Sequence, residues 1–237
     1  MYDRQTPFRS RSLTTFLISL AAGFAGLGLA LTACRAEPEA TPRPTVIVIT
    51  ASGPYVATFD EAGDWLIGDS EHSRGRIEDG RYILTLLSPS HLAWANQQRT
   101  FGDGVYEVEA TLLSGPEASG FGLLLLGSND VGSFLYCMIT GDGRYDIGYC
   151  QDGCRIQESL IGGYTLAYTI LPGNQTNFLR VELNDGELTF LVNGAPIGQV
   201  KGLNYTSGLV GLIGESSPYG GFEAAFDNLH VTEEGNP

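Results

Sequence analysis

The sequence predicts an all-β domain, an antiparallel β-sandwich or jelly roll, on three observations. Short alternating runs recur at roughly 8–12-residue spacing over positions 55–234. Turn chemistry stands between neighbouring runs: Gly141-Asp142-Gly143, Asp152-Gly153, Asn184-Asp185-Gly186 and Asn193-Gly194. No ten-residue window repeats apolar residues at the helical period. A composition with 32 glycines, 11 tyrosines and 11 phenylalanines suits such a turn-rich, aromatic-filled fold.

In chain order, the expected strands begin with 56–59, 81–86 and 92–95. The run 105–112, VYEVEATL, sets Tyr106, Val108 and Ala110 on one face and Glu107 and Glu109 on the other. Strands 122–126 and 133–140 follow, then 145–151 across the Gly-Asp-Gly turn. The run 155–160 follows Asp152-Gly153, and 166–170 comes next. Strands 177–183, 187–192 and 197–200 are separated by the two asparagine-containing turns, and 208–213 and 222–231 close the chain. About 180 residues are ample for a single core between two sheets. No solenoid or propeller period interrupts the pattern.

The N-terminus has a different character. Arg4, Arg9 and Arg11 precede an uncharged apolar run, 13–31, that ends in Leu31-Thr32-Ala33-Cys34. This segment resembles a bacterial lipoprotein signal, whose lipobox Leu-Thr-Ala-Cys matches at all four positions. The resemblance implies that 1–33 are removed, that Cys34 carries lipid, and that the chain is held at the extracytoplasmic face of the cell membrane. A retained membrane helix is the alternative, since 19 residues nearly span a bilayer. Residues 34–54, with Pro38, Pro42, Pro44 and Pro54, form an extended linker. Within it, 46–50 (VIVIT) is apolar enough to add an edge strand.

The net charge is −14, with 27 acidic and 13 basic residues and a single lysine, Lys201. Cleavage before Cys34 would remove three arginines and one aspartate, leaving a 204-residue chain at −16. Nucleic acid is excluded as a partner, because phosphate neutralisation needs clustered Lys and Arg.

An ordered set of segments carries a second resemblance: Glu78-Asp79-Gly80-Arg81-Tyr82, Leu92-Ala93-Trp94, Val105-Tyr106-Glu107-Val108-Glu109-Ala110 and Gly122-Leu123-Leu124. It continues in Asn177-Phe178-Leu179-Arg180-Val181, Phe190-Leu191-Val192-Asn193-Gly194 and Ala225-Phe226-Asp227-Asn228-Leu229. Together they resemble the concanavalin A-like lectin/glucanase superfamily, in its laminin-G-like and 3-keto-disaccharide-hydrolase-like branch. That resemblance implies carbohydrate binding, glycoside hydrolysis or adhesion to a protein. It also implies a structural calcium. Asp60 and Asp227, expected on paired terminal strands, are the candidate ligands. Relatives often carry a basic residue where this chain has Leu126, so a polar site there is expected to be lost.

Catalysis finds little support in the residues. The superfamily's glucanases carry Glu-x-Asp-x-Glu, which is missing; Glu107 and Glu109, about 7 Å apart on one strand face, are the nearest substitute. His72, His91 and His230 have no ligand spacing. No cofactor is required, and the expected role is non-catalytic. Sugar recognition asks for aromatic faces beside polar groups. Trp94, Gln98, Tyr136, Tyr145 and Tyr149 are the candidates, with Tyr145 and Tyr149 on one strand face. Core packing is the competing role for Trp94 and Trp65. A Cys150–Cys154 disulfide is favoured, because the two flank a tight turn. Cys137–Cys150 competes if Thr140 pairs with Tyr145, which would set both on one face.

Overall fold

The computed structural model describes residues 54–61 and 63–233. The signal segment 1–33, Cys34 and the linker up to residue 53 lie outside the described residues. The described chain is all β, in sixteen strands. They are β1 (Tyr55–Ala57), β2 (Gly68–Asp69), β3 (Ser73–Glu78), β4 (Arg81–Leu86), β5 (Leu92–Phe101), β6 (Gly104–Ser114), β7 (Gly120–Gly127) and β8 (Phe134–Thr140). Next come β9 (Arg144–Gln151), β10 (Ile156–Ser159), β11 (Thr165–Leu166), β12 (Asn177–Asn184), β13 (Glu187–Val192), β14 (Ala195–Lys201), β15 (Gly208–Glu215) and β16 (Phe222–Glu233).

Two antiparallel sheets face each other. One runs β14-β13-β12-β6-β16-β4-β3-β2, with β1 also on β16; the other runs β10-β9-β8-β7-β15-β5, with β11 on β9. The first and last strands pair as expected, Tyr55 opposite Val231. The turns Asp79-Gly80, Asp185-Gly186 and Asn193-Gly194 each join strands through two residues that both have positive φ, the conformation in which an L residue followed by glycine fits a tight hairpin.

The sandwich core is drawn from both sheets. Tyr106, Val108, Leu179, Val181, Phe190 and Phe226 face Leu123, Leu125, Cys137, Ile139, Ile147 and Leu212. Strand β6 alternates buried and half-buried residues throughout, so the nine-stranded sheet wets its outer face. The seven-stranded sheet does not. In β7, β8 and β15 nearly every residue is buried, in keeping with the continuous apolar run GFGLLLLG. Its outer face is therefore covered as well, by a second apolar cluster of Leu92, Leu124, Phe134, Tyr136, Met138, Cys150 and Ile213.

One expected strand needs correction, and two features left open in the sequence are decided by the structure. The strand at 166–170 shrinks to Thr165–Leu166, because Ala167–Ile170 turns back on itself with Ile170 N–H bonding to the Ala167 carbonyl at 3.2 Å. Strands β2 and β3 went unanticipated; SRGRIE has one apolar side chain and lies near a sheet edge, where little apolar surface is demanded. The Gly-Asp-Gly turn opposes Ile139, not Thr140, to Tyr145. That one-residue difference reverses the faces, so Cys137 points into the sandwich core and Cys150 into the outer cluster. Cys150 is disulfide-bonded to Cys154, with Cα atoms 4.6 Å apart, and Cys137 is a buried free thiol.

Candidate functional site

The strand register assembles the outer face of the seven-stranded sheet in rows. One row crosses five strands as Trp94, Ile213, Gly122, Met138 and Asp146. The adjacent row carries Asn96, Gly211, Leu124, Tyr136, Gly148 and Ser159. Two carboxylates belong to this face, Asp146 on β9 and Glu215 on β15. Gln157 on β10 donates to Glu215 Oε1 at 3.2 Å. Three strands lie between them, about 19 Å of flat sheet, so the sheet must curl toward this face to bring the two side chains together. The curled face is the outer side of this sheet.

Its contents are polar and self-satisfied. Tyr164, from the turn after β10, lays its ring over Gly120 and donates to Glu215 Oε2 at 3.0 Å. A side chain at residue 120 would collide with the Tyr164 hydroxyl, so the bare glycine makes that contact possible. Tyr136 donates to Asp146 Oδ2 at 3.1 Å, and Ser159 donates to Oδ1 at 2.5 Å. Ser159 Oγ in turn accepts from Gly163 N at 2.7 Å, which fixes the covering turn. Burial drives both carboxyl pKa values up, only partly countered by these donors, and Asp146 raises Glu215 further. Burial also pushes the Tyr164 and Tyr136 hydroxyls well up. Each carboxylate has both oxygens engaged by internal donors, and the turn that carries Tyr164 is tied to the sheet through them.

The expected sugar-binding residues divide between the two faces. Trp94 and Tyr136 share the curled face, Trp94 partly buried and packed on Phe134 at 5.2 Å between ring centres, Tyr136 wholly buried. Tyr145 lies on the opposite face, buried against Phe190, so the structure corrects its proposed role to core packing. Tyr149 shares that opposite face and donates to Glu158 at 2.7 Å, which removes it from a joint platform with Trp94. Gln98 is exposed on β5, beside the irregularity in its pairing with β15. Trp65 is buried in an aromatic group with Phe59 and Tyr82. Glu107 and Glu109 stand on the outer face of the other sheet, Glu107 accepting from Arg180 at 2.6 Å and Glu109 from Asn228 at 3.3 Å.

Asp60 accepts from Thr58 Oγ1 at 2.8 Å, and Asp227 from the backbone N–H of Asn228 at 2.7 Å. Among the described residues, no three His, Cys, Asp or Glu side chains are grouped to hold a metal ion. A separate cavity of about 400 Å³, walled by Tyr55, Asp60, Asp64 and Trp65 among others, contains none of the residues of the curled face.

The fold is shared with solved structures. A carbohydrate-binding module CBM66 from Bacillus subtilis is similar at 11% identity and TM-score 0.58, over 71% of this chain and 96% of that one. The fold is a concanavalin A-like jelly roll. A Bacillus licheniformis beta-glucanase shares this jelly roll at 14% identity and TM-score 0.58, over 78% of this chain and all of that one. So does the catalytic domain of an endo-1,3-beta-glucanase (laminarinase) from Thermotoga petrophila, at 13% identity and TM-score 0.52, over 77% and 97%. No protein-family model matches the sequence, and no curated protein does. The Asp146 and Glu215 pair had no motif to betray it; only the β15 and β9 registers place the two on one face.

Proposed function

We propose that this protein is a non-catalytic, carbohydrate-binding jelly roll, held at the extracytoplasmic face of the membrane by lipid on Cys34. The observation that carries the reading is the make-up of the curled face. Its partly buried indole, Trp94, is the aromatic surface a pyranose ring could stack on, whereas its two carboxylates accept from internal donors. The similar structures, a carbohydrate-binding module and two glucanases, support a glycan as the ligand class. The missing Glu-x-Asp-x-Glu strand supports binding without hydrolysis.

The test is a glycan array probed with the purified protein, with and without calcium, paired with a reducing-end assay on every glycan retained. Binding without new reducing ends is expected. Trp94→Ala should weaken it roughly tenfold, the loss of one aromatic contact with its buried area. Silence on all glycans in both conditions would remove the carbohydrate reading and leave a protein-binding adhesion module. Release of reducing ends would overturn the non-catalytic part.

A further inference from the structure

We propose that His72 and His91 form a two-imidazole site for a divalent transition metal, copper(II) by its geometry. The two residues are far apart in sequence terms but adjoin in space. His72 directly precedes β3 and His91 directly precedes β5, and their rings stack with centres 4.2 Å apart and planes at 39°. Both backbones are fixed. Leu87 N–H donates to the His72 carbonyl at 2.8 Å, while His91 N–H donates to Ser216 Oγ at 2.9 Å and its carbonyl accepts from Ser216 N–H at 2.8 Å.

The ring nitrogens are divided in the way a metal site requires. His91 Nδ1 lies 2.8 Å from the Pro89 carbonyl, which can only accept, so Nδ1 holds the proton and Nε2 keeps its lone pair. His72 Nδ1 lies 3.2 Å from Ser88 Oγ, a hydroxyl able to accept from the same tautomer. Metal-bound histidines commonly show this pattern, the far nitrogen donating to a backbone carbonyl or similar group. Neither Nε2 makes a hydrogen bond. The Glu71 carboxylate lies 4.0 Å from His72 Nε2, and at 89% side-chain exposure it is free to turn inward as a third ligand.

Distance selects the ion. A metal–nitrogen bond of about 2.0 Å sets each ring centre about 3.2 Å from the metal, hence ring centres about 4.5 Å apart for ligands at right angles and about 5.2 Å at the tetrahedral angle. The observed 4.2 Å is shorter than either and nearer the right-angle case. Right-angled nitrogen and oxygen ligands are the preference of copper(II) and nickel(II), and copper stands highest in the affinity order. No third side chain is already in place, so the pair supplies two ligands, and Glu71 and water complete the set. A bound ion would tie the start of β3, in one sheet, to the start of β5, in the other.

The experiment titrates the purified protein with copper(II) sulfate and with zinc chloride, read by calorimetry, by electron paramagnetic resonance and by the thermal midpoint. One copper per chain at this site is expected, with two nitrogen ligands in the hyperfine pattern and a raised midpoint. His72→Ala and His91→Ala should each weaken copper binding at least tenfold; His230→Ala, whose side chain is exposed on β16, should not. His91→Phe keeps a stacked ring without the nitrogen and should fail in the same way, which separates lost ligation from lost packing. Undiminished binding in either His72→Ala or His91→Ala, a single-nitrogen signal, or tighter zinc than copper would overturn the proposal.

Discussion

Glu215 and Asp146 are carboxyl groups whose neutral forms the fold favours, since burial raises both pKa values and the donors around them are uncharged. A group whose pKa is raised on folding stabilises the protein while the pH is below its unfolded value. That contribution is lost as the pH climbs through the raised native value. Glu215→Gln, which keeps the shape and an acceptor for Gln157, should therefore raise stability at neutral pH by about 1 kcal/mol and flatten the loss above pH 5, as urea titrations at several pH values would show. Glu223 has the opposite sign. Burial works against its charge, but bonds from Arg76 and Thr85 outweigh it and hold the carboxyl low. Its contribution is present above the unfolded carboxylate range and fades as the pH falls, so Glu223→Gln should destabilise at pH 7 and matter little near pH 3. None of this could be read from residue identities. A glutamate in GLIGESS carries no mark that its strand lies in the middle of a curled sheet.

At the scale of elements, the β8–β9 hairpin shows how little separates two outcomes. With Ile139 opposite Tyr145, Cys137 and Cys150 fall on opposite faces, which leaves Cys150 to pair with Cys154 across the Asp152-Gly153 turn. The disulfide anchors that turn beside Phe134 and Val131 in the outer cluster. Replacing both cysteines by alanine closes one short loop fewer and should cost about 2 kcal/mol of unfolding free energy, measured as a lower urea midpoint in oxidising buffer. Wild-type protein under reducing conditions should behave likewise. The hairpins at Asp185-Gly186 and Asn193-Gly194 were legible in advance, because Asp-Gly and Asn-Gly between alternating runs admit few geometries; the Asp79-Gly80 hairpin was not, since the polar run before it does not read as a strand. A three-residue turn allows more, and there the register was not legible. Strand β7 teaches the complementary lesson: its unbroken apolar run reflects burial on both faces, a property of the sheet around it.

For the whole molecule, the proposed export signal at 1–33 and the β domain differ sharply in composition. Under the proposed anchoring, Cys34→Ala should block acylation and move the protein from the membrane fraction to the soluble one; continued membrane retention would instead support an uncleaved helix from 13–31. The all-β class, the sandwich and the alternation that fills its core followed from the sequence alone, because side-chain period and turn chemistry are local properties. The expectation against nucleic acid also rests on composition alone, on one lysine and a net charge of −14. What only the tertiary structure decided are the meetings of distant residues: Asp146 and Glu215 under one covering turn, Trp94 separated from Tyr145, and His72 stacked on His91. Each depends on strand order and on the curl of a sheet. Those arise from pairing across the whole chain, which no window of sequence contains.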